Sequence, residues 1–137
     1  MADVNDVNAE IIEEFRANAG VVGGPFDGST VLLLTTRGTK SGLERVNPLV
    51  CRIEDADVYV FASKAGAPTN PHWFHNLVAN PSVTVELGAQ TFSATAEVVE
   101  RGERDRVYAE HASINPGFVD YERMTDRIIP VVRLVRS

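Results

Sequence analysis

Six short strand-like segments follow one another too closely for a chain built from repeated strand–helix–strand units. They are rich in β-branched and aliphatic residues and lie at residues 30–34, 46–53, 58–63, 83–87, 90–100 and 128–135. Parallel strands need crossovers of about a dozen residues each, so this spacing favours antiparallel pairing. The pattern predicts a mainly β fold with added helices (α+β), in which about six antiparallel strands close into a small barrel. The mouth of such a barrel is suited to holding a ligand.

Helical spacing appears outside these strands. An amino-terminal helix is predicted over about residues 5–18, where Ile11, Ile12 and Phe15 recur with acidic residues between them. A short helix is predicted to begin at Pro71 with Asn70 as its N-cap, and two more at residues 101–112 and around 118–125. A chain of 137 residues is expected to form one domain, residues 1–137.

Composition excludes several classes of protein. The formal net charge of −6 argues against nucleic acid as a partner, because phosphate binding needs a basic surface. Cys51 is the single cysteine, which excludes an internal disulfide. Neither a signal peptide nor an apolar run of about 20 residues is present, so we expect a cytoplasmic protein without stable membrane insertion. The acidic amino-terminal helix disfavours anionic lipid and leaves peripheral membrane contact open.

A basic glycine turn joins the first two predicted strands. It reads TTRGTKSGLER over residues 35–45 and carries Arg37, Lys40 and Arg45. Local positive charge in an acidic chain suggests a bound anion, since cations beside exposed backbone N–H groups suit phosphate or carboxylate. The alternative is an ordinary solvated hairpin tip, because the turn lacks the spacing of the nucleotide-binding glycine motifs.

A second notable segment runs from Ser63 to Leu77 and joins a strand end to a helix start. Free backbone N–H groups beside a helix amino terminus can bind phosphate or donate to the carbonyls of a flat heterocycle. Trp73 within it is a candidate either for the core or for such a site. His72 and His75 have metal-ligand spacing, but no third ligand stands out, so no metal is expected.

A third segment covers residues 115–123. One interpretation is a short helix that packs Phe118 and Tyr121 against the barrel; the other is an aromatic lid with the Tyr121 hydroxyl near a reacting atom. Asp126 and Arg127 are expected to form a surface pair or a cap that contributes little to stability.

Taken in order, the segments TTRGTKSGLERVNPL, FASKAGAPTNPHWFHNLVANPSVTVE and NPGFVDYERMTDRIIPVVRL resemble the deazaflavin (coenzyme F420)-dependent nitroreductase family. That family is a branch of the flavin/deazaflavin oxidoreductase superfamily, and the likeness runs from about Gly28 to Leu134. It implies an FMN-binding split-barrel-like fold. It also implies hydride transfer from reduced coenzyme F420, an 8-hydroxy-5-deazaflavin, to small electron-poor acceptors.

The resemblance also implies which residues form the site. Lys40, Ser41 and Arg45 match the basic turn that holds the phosphate and acidic tail of the coenzyme. The remaining matches to cofactor-contacting positions are Pro48, Phe61, Ala62, Ser63, Lys64, Ala67, Trp73 and Asn76. Tyr121 and Ser63 are the candidates for proton delivery to the reduced product.

The sequence departs from the family pattern at two positions. Asn115 and Phe118 stand where nitroimidazole-reducing members carry two further tyrosines. This argues against nitroimidazole activation and leaves a quinone, an enone and a nitro compound open as acceptors.

Two alternatives to a deazaflavin-dependent reductase stay open. One is an FMN-dependent oxidoreductase on the same barrel, and the other is a carrier that binds deazaflavin without turnover. The resemblance implies either a homodimer or a monomer, because both occur among split-barrel oxidoreductases. The small-molecule acceptor is the one partner expected in every enzymatic reading.

Overall fold

The computed structural model describes residues 4–23, 30–39 and 41–137, without the side chains of residues 4–7 and 65. The helices are α1 (Val4–Ala17), α2 (His72–Ala79), α3 (Arg101–Ile114) and α4 (Gly117–Arg123). The strands are β1 (Val31–Arg37), β2 (Glu44–Glu54), β3 (Asp57–Phe61), β4 (Ser82–Leu87), β5 (Gln90–Val98) and β6 (Val131–Arg136). A single turn of 3-10 helix covers Lys64–Gly66.

The strands form a closed barrel in the order β1-β2-β3-β6-β5-β4, and every neighbouring pair is antiparallel. Pairing of β1 with β4, which sets Leu34 opposite Val85, closes the ring. The predicted six-stranded antiparallel barrel of an α+β protein is therefore confirmed.

The first four residues of β1 (Val31–Leu34) are apolar because both faces of the strand are covered there. Leu32 and Leu34 point into the barrel and are fully buried there. Leu33 points outward and packs with Ile11 and Phe15 of α1. A run of consecutive apolar residues thus marks a strand that lies between the interior and a covering helix.

α3 and α4 cover the outer face of β3 and β6. Their main contacts are a cluster in which Tyr59 and Phe61 of β3 meet Val107 and Tyr108 of α3. Glu100 is the N-cap of α3, and its carboxylate accepts hydrogen bonds from the backbone N–H groups of residues 102 and 103. This capping fixes the start of the helix directly after β5.

The structure corrects the predicted N-cap of α2. Pro71, not Asn70, occupies that position, and the α2 cap has no side-chain hydrogen bond. The side-chain oxygen of Asn70 instead accepts a hydrogen bond from Arg127 at 2.7 Å. A charged donor 57 positions away along the chain therefore replaces the local capping contact.

Candidate active site

One end of the barrel brings together the first two notable sequence segments and the connection that follows the third. By the antiparallel register, β1 and β3 end where β2 and β6 begin. The connections 38–43, 62–71 and 124–130 therefore lie at the same end, which we call the site end. Separate stretches of sequence thus meet around one barrel mouth.

The β1–β2 turn is braced by its own polar groups. The Arg37 guanidinium donates to the Gly42 carbonyl at 3.1 Å, and the Leu43 N–H donates to the Ser41 hydroxyl at 3.2 Å. Ser41 is thus built into the turn as well as being a candidate for cofactor binding. Lys40, the other candidate in this turn, lies outside the described residues.

Strand alternation separates two of the predicted site residues on β2. Arg45 is exposed and pairs with Thr36, on the face of β2 that continues into the barrel interior. Pro48 is buried and pairs with Leu33, on the face that packs toward α1. The two residues therefore point to opposite sides of the sheet.

Phe61 and Ala62 also point in opposite directions at the end of β3. The Phe61 ring lies outside the barrel and stacks on His111 at 4.4 Å between ring centroids. Ala62 belongs to the interior cluster, and its N–H donates to the Pro130 carbonyl at 3.0 Å. The β3–β6 pairing thus extends one step beyond the strand ends, into the start of the 62–71 connection.

The first residues of that connection form an anion-binding shape. Ser63 has right-handed backbone angles, and Lys64 has a positive φ of 47°. Consecutive right- and left-handed residues turn successive backbone N–H groups toward one point, which is the nest geometry found at phosphate sites. The Lys64 ammonium reaches Thr69 at 3.3 Å and stays exposed. Ser63 and Lys64 therefore offer backbone donors and a cation together.

Arg127 holds the 62–71 connection in place, and sequence reasoning missed it. Its guanidinium donates to the carbonyls of Ser63 and Ala67, each at 2.9 Å, and to the Asn70 side chain at 2.7 Å. The expectation of a weak surface pair with Asp126 is therefore wrong. All three acceptors lie 57 or more positions earlier in the chain, so no local motif signals this contact.

α4 packs closely against the same connection. Gly66 has a φ of 81°, and a Cβ placed there would lie 2.9 Å from the Met124 Cβ and 3.2 Å from the Tyr121 Cα. Only glycine fits this backbone and this approach. Tyr121 is half-buried, and its ring packs edge-on against Phe118 at 5.2 Å. Tyr121 thus stands beside the candidate cofactor loop.

α2 supports the site end from within. Trp73 is buried in the interior cluster beside Leu77, so core packing accounts for its aromatic ring. Asn76 is also buried, and its amide donates to the Thr36 hydroxyl at 3.2 Å. The helix is therefore tied to the end of β1, just below the basic turn.

Two buried titratable groups near the site have shifted pKa values. Burial lowers the pKa of His111 to about 4, and the positive charge of Arg52 adds to this shift, so the ring is neutral at pH 7. Burial also raises the pKa of the Cys51 thiol to about 12. The thiol is therefore protonated and cannot serve as a nucleophile.

The donor set at the site end suits an anionic heterocyclic cofactor. Arg45 and Lys64 are exposed cations in a protein of net charge −6, and the 63–64 backbone adds neutral donors. Such a cradle requires charge-assisted donation to phosphate and carboxylate, which these groups can supply. Among the described residues, no cluster of three or more His, Cys, Asp or Glu side chains suits a metal ion.

Comparison with known proteins identifies the family. A family model described as F420H(2)-dependent quinone reductase matches residues 8–136. An F420H(2)-dependent quinone reductase of Mycobacterium tuberculosis H37Rv is 36% identical over 127 residues, which cover 89% of this chain and 85% of the relative. A second protein of that strain, named for the same activity, is 34% identical over 103 residues, covering 75% of this chain and 87% of the relative.

Solved structures agree with this. An F420-H2 dependent reductase, FDR-A, superposes with a TM-score of 0.69 at 36% identity, covering 76% of this chain and 92% of that one. A structure described as a domain-swapped dimer gives a TM-score of 0.72 at 29% identity, covering 97% and 99%. The heme storage protein HutZ of Vibrio cholerae, at 20% identity and a TM-score of 0.60 over 92% and 87%, shares the fold alone.

In the described residues, no helix is long and apolar enough to cross a bilayer.

The predicted deazaflavin-dependent oxidoreductase is confirmed at the level of the family. The chain belongs to the F420H(2)-dependent quinone reductase family, a family of oxidoreductases that use coenzyme F420.

Proposed function

We propose that this protein transfers hydride from reduced coenzyme F420 to a small electron-poor acceptor, with a quinone as the preferred class. Family membership over residues 8–136 supports the cofactor, and the names of the relatives support the quinone. The structural observation that carries the proposal is the meeting of the basic turn, the 63–64 nest and Tyr121 at one barrel end.

The anionic part of the cofactor is assigned to two groups of donors. Arg45 and Ser41, at the barrel mouth, are proposed to hold the acidic tail, together with Lys40 of the same sequence segment, residues 35–45. The N–H groups at Ser63 and Lys64 are proposed to hold the phosphate, since their backbone geometry matches known anion nests.

The ring of the cofactor is assigned to the mouth between β3 and α2. The backbone at Phe61, Ala62 and Ala67 is proposed to line it, with Trp73 and Asn76 beneath. Trp73 is 5% exposed and Asn76 is 7% exposed, so both would act as a packed floor with little surface of their own. Pro48 has less support as a contact residue, because it faces α1.

The protein contributes orientation and a proton. When bound, reduced F420 supplies the hydride, as expected of a redox cofactor that carries the chemistry. Reduction of a quinone to a hydroquinone also consumes a proton for each hydride accepted. The Tyr121 hydroxyl is proposed to donate it, because no hydrogen bond occupies that group among the described residues and the Tyr121 backbone lies next to the 62–71 connection. The Ser63 hydroxyl, within the nest itself, is the second candidate.

The test is an anaerobic turnover assay with reduced F420 and three acceptors: menadione, cyclohexenone and a nitroaromatic compound. The expected result is oxidation of F420 with menadione as the fastest acceptor. Faster turnover with the nitroaromatic or the enone would contradict the preference for quinones. Binding of F420 without turnover of any acceptor would favour a carrier and contradict the enzymatic proposal.

The FMN alternative is tested on the same preparation. The expected result is a colourless protein that binds F420 and has little affinity for FMN. A yellow protein that releases FMN on denaturation would contradict the proposal.

We also propose that the protein forms a homodimer, since a neighbour at 29% identity is described as a domain-swapped dimer. Light scattering coupled to size exclusion would show a mass near twice the 14.9 kDa of the chain. A monomeric mass at all concentrations would contradict this.

A further inference from the structure

Arg127 contacts the 62–71 connection at three separate points. Its Nη2 donates to the Ser63 carbonyl, its Nε to the Ala67 carbonyl and its Nη1 to the Asn70 side chain, at 2.9, 2.9 and 2.7 Å. One guanidinium therefore spans the connection from its first residues to Asn70, two residues before α2. Arginine suits this role because its donors form a rigid planar fork.

The connection needs such a brace. Lys64 has a positive φ of 47°, which a residue with a Cβ keeps only when its surroundings impose it. The hydrogen bonds within the turn are short-range, from the Gly66 N–H to Ser63 and from the Ala67 N–H to Lys64. Arg127 binds carbonyls on both sides of Lys64, so it fixes the strained residue from before and after.

We infer that Arg127 is a positioning residue for F420, which acts by holding the Ser63–Lys64 nest in its anion-binding shape. This inference rests on the proposed function, because the nest is assigned to the phosphate there. Arg127 acts on the cofactor through the backbone that it orders, since two of its three hydrogen bonds go to backbone carbonyls of the connection and the third goes to the Asn70 side chain.

A second arginine provides a matched control. Arg104 is buried and donates to the Ile129 carbonyl at 2.9 Å, and to Asp105 and Glu122 at 2.9 and 3.1 Å. Arg104 therefore anchors the 124–130 segment, which contains Arg127. Among the described residues, however, Arg104 makes no hydrogen bond to the 62–71 connection. Loss of Arg104 tests general destabilisation of this region.

The experiment compares Arg127→Lys, Arg127→Ala and Arg104→Lys with the wild type. Dissociation constants for F420 come from fluorescence titration, and exchange of the Gly66 and Ala67 amides is measured without cofactor. We expect both Arg127 variants to bind F420 about tenfold more weakly, because a lysine keeps the charge but loses the fork. Their Gly66 and Ala67 amides should exchange faster. Arg104→Lys should lower Tm while leaving F420 affinity within about twofold.

Two results would overturn the inference: Arg127→Lys binding F420 as tightly as the wild type, or Arg104→Lys weakening F420 as much as Arg127→Lys does. If the Arg127 variants do not fold, Asn70→Ala removes one of the three acceptors of Arg127 and should raise the F420 dissociation constant about threefold. An unchanged F420 affinity and unchanged exchange of the Gly66 and Ala67 amides would then contradict the inference. Failure of the wild type to bind F420 would contradict the proposed function instead. The amide exchange comparison would still decide whether Arg127 orders the connection.

Discussion

The Asn76 amide donates a hydrogen bond to the Thr36 hydroxyl at 3.2 Å, and both side chains are almost completely buried. The bond joins α2 to the end of β1, 40 positions earlier in the chain. It is a polar link between the barrel and the helix that follows the candidate cofactor loop. Buried polar pairs of this kind make one arrangement of two elements more stable than its alternatives.

We predict that Asn76→Ala lowers the free energy of unfolding by about 1–3 kcal/mol, because it leaves the buried Thr36 hydroxyl without its partner. Urea denaturation of Asn76→Ala, Thr36→Val and the double variant measures the coupling between the two residues. The double variant should be less destabilised than the sum of the single variants. Additive effects would show that the bond contributes nothing specific.

Gly66 is predicted to be irreplaceable at the junction of the 3-10 turn with α4. In Gly66→Ala the new methyl group would meet Met124 and Tyr121 at a φ of 81°. The variant should lose about 1–3 kcal/mol of stability and bind F420 more weakly. Gly117→Ala, at the start of α4, is the control: a Cβ placed there meets nothing within 4 Å, so the variant should be neutral or slightly stabilising. Equal effects from the two substitutions would contradict the close contact.

His111 is predicted to make stability depend on pH. Its pKa is about 4 in the folded protein and about 6.5 in the unfolded chain, so the unfolded state binds a proton first as the pH falls. The free energy of unfolding is therefore unaffected by His111 titration above about pH 6.5. It decreases as the pH falls from about 6.5 to 4, and His111 causes no further change below that. Within this window the loss approaches about 1.4 kcal/mol per pH unit.

The comparison that isolates this effect uses His111→Phe, which keeps an aromatic ring against Phe61 and cannot be protonated. Urea unfolding at pH 7.5, 6.0 and 5.0 should show a steeper decline for the wild type than for the variant. Parallel declines would mean that carboxylates alone determine the pH dependence.

Tyr121 is predicted to donate a proton. Tyr121→Phe keeps the packing against Phe118 and removes only the hydroxyl. The kcat for menadione should fall about a hundredfold, while the F420 dissociation constant stays unchanged. Ser63→Ala separates the two candidates, since a larger loss of kcat there would transfer the role to Ser63. Full activity of Tyr121→Phe would contradict proton donation by the Tyr121 hydroxyl, and the Tyr121 ring would then only shape the pocket.

The fold was predictable because its signals are local. Alternating and continuous apolar runs mark all six strands, and their short spacing enforces antiparallel pairing. The helix bounds were close as well; α1 begins at Val4 and ends at Ala17, against an expected 5–18. Interior packing of Cys51 also follows from its place on a strand, where β2 alternation turns it inward.

The site was harder to predict because its contacts join distant parts of the chain. Nothing near Arg127 indicates that its partners lie at Ser63, Ala67 and Asn70, 57 to 64 positions away. Likewise, the local rule that predicts Asn70 as the N-cap of α2 fails, because the Asn70 side chain accepts a hydrogen bond from Arg127 instead. The opposite orientations of Arg45 and Pro48, in contrast, could have been predicted locally. Side chains alternate along a strand, so two residues three positions apart face opposite sides of the sheet.

We propose that the site end binds the negatively charged tail of F420 through the basic turn. A fluorescence titration of F420 into the wild type, Arg45→Ala and Arg136→Ala tests this assignment. Arg136 is an exposed arginine at the other end of the barrel, at the end of β6. We predict that Arg45→Ala binds F420 about tenfold more weakly, and that Arg136→Ala binds it like the wild type. Equal dissociation constants for the two variants would contradict the assignment of the basic turn to the cofactor.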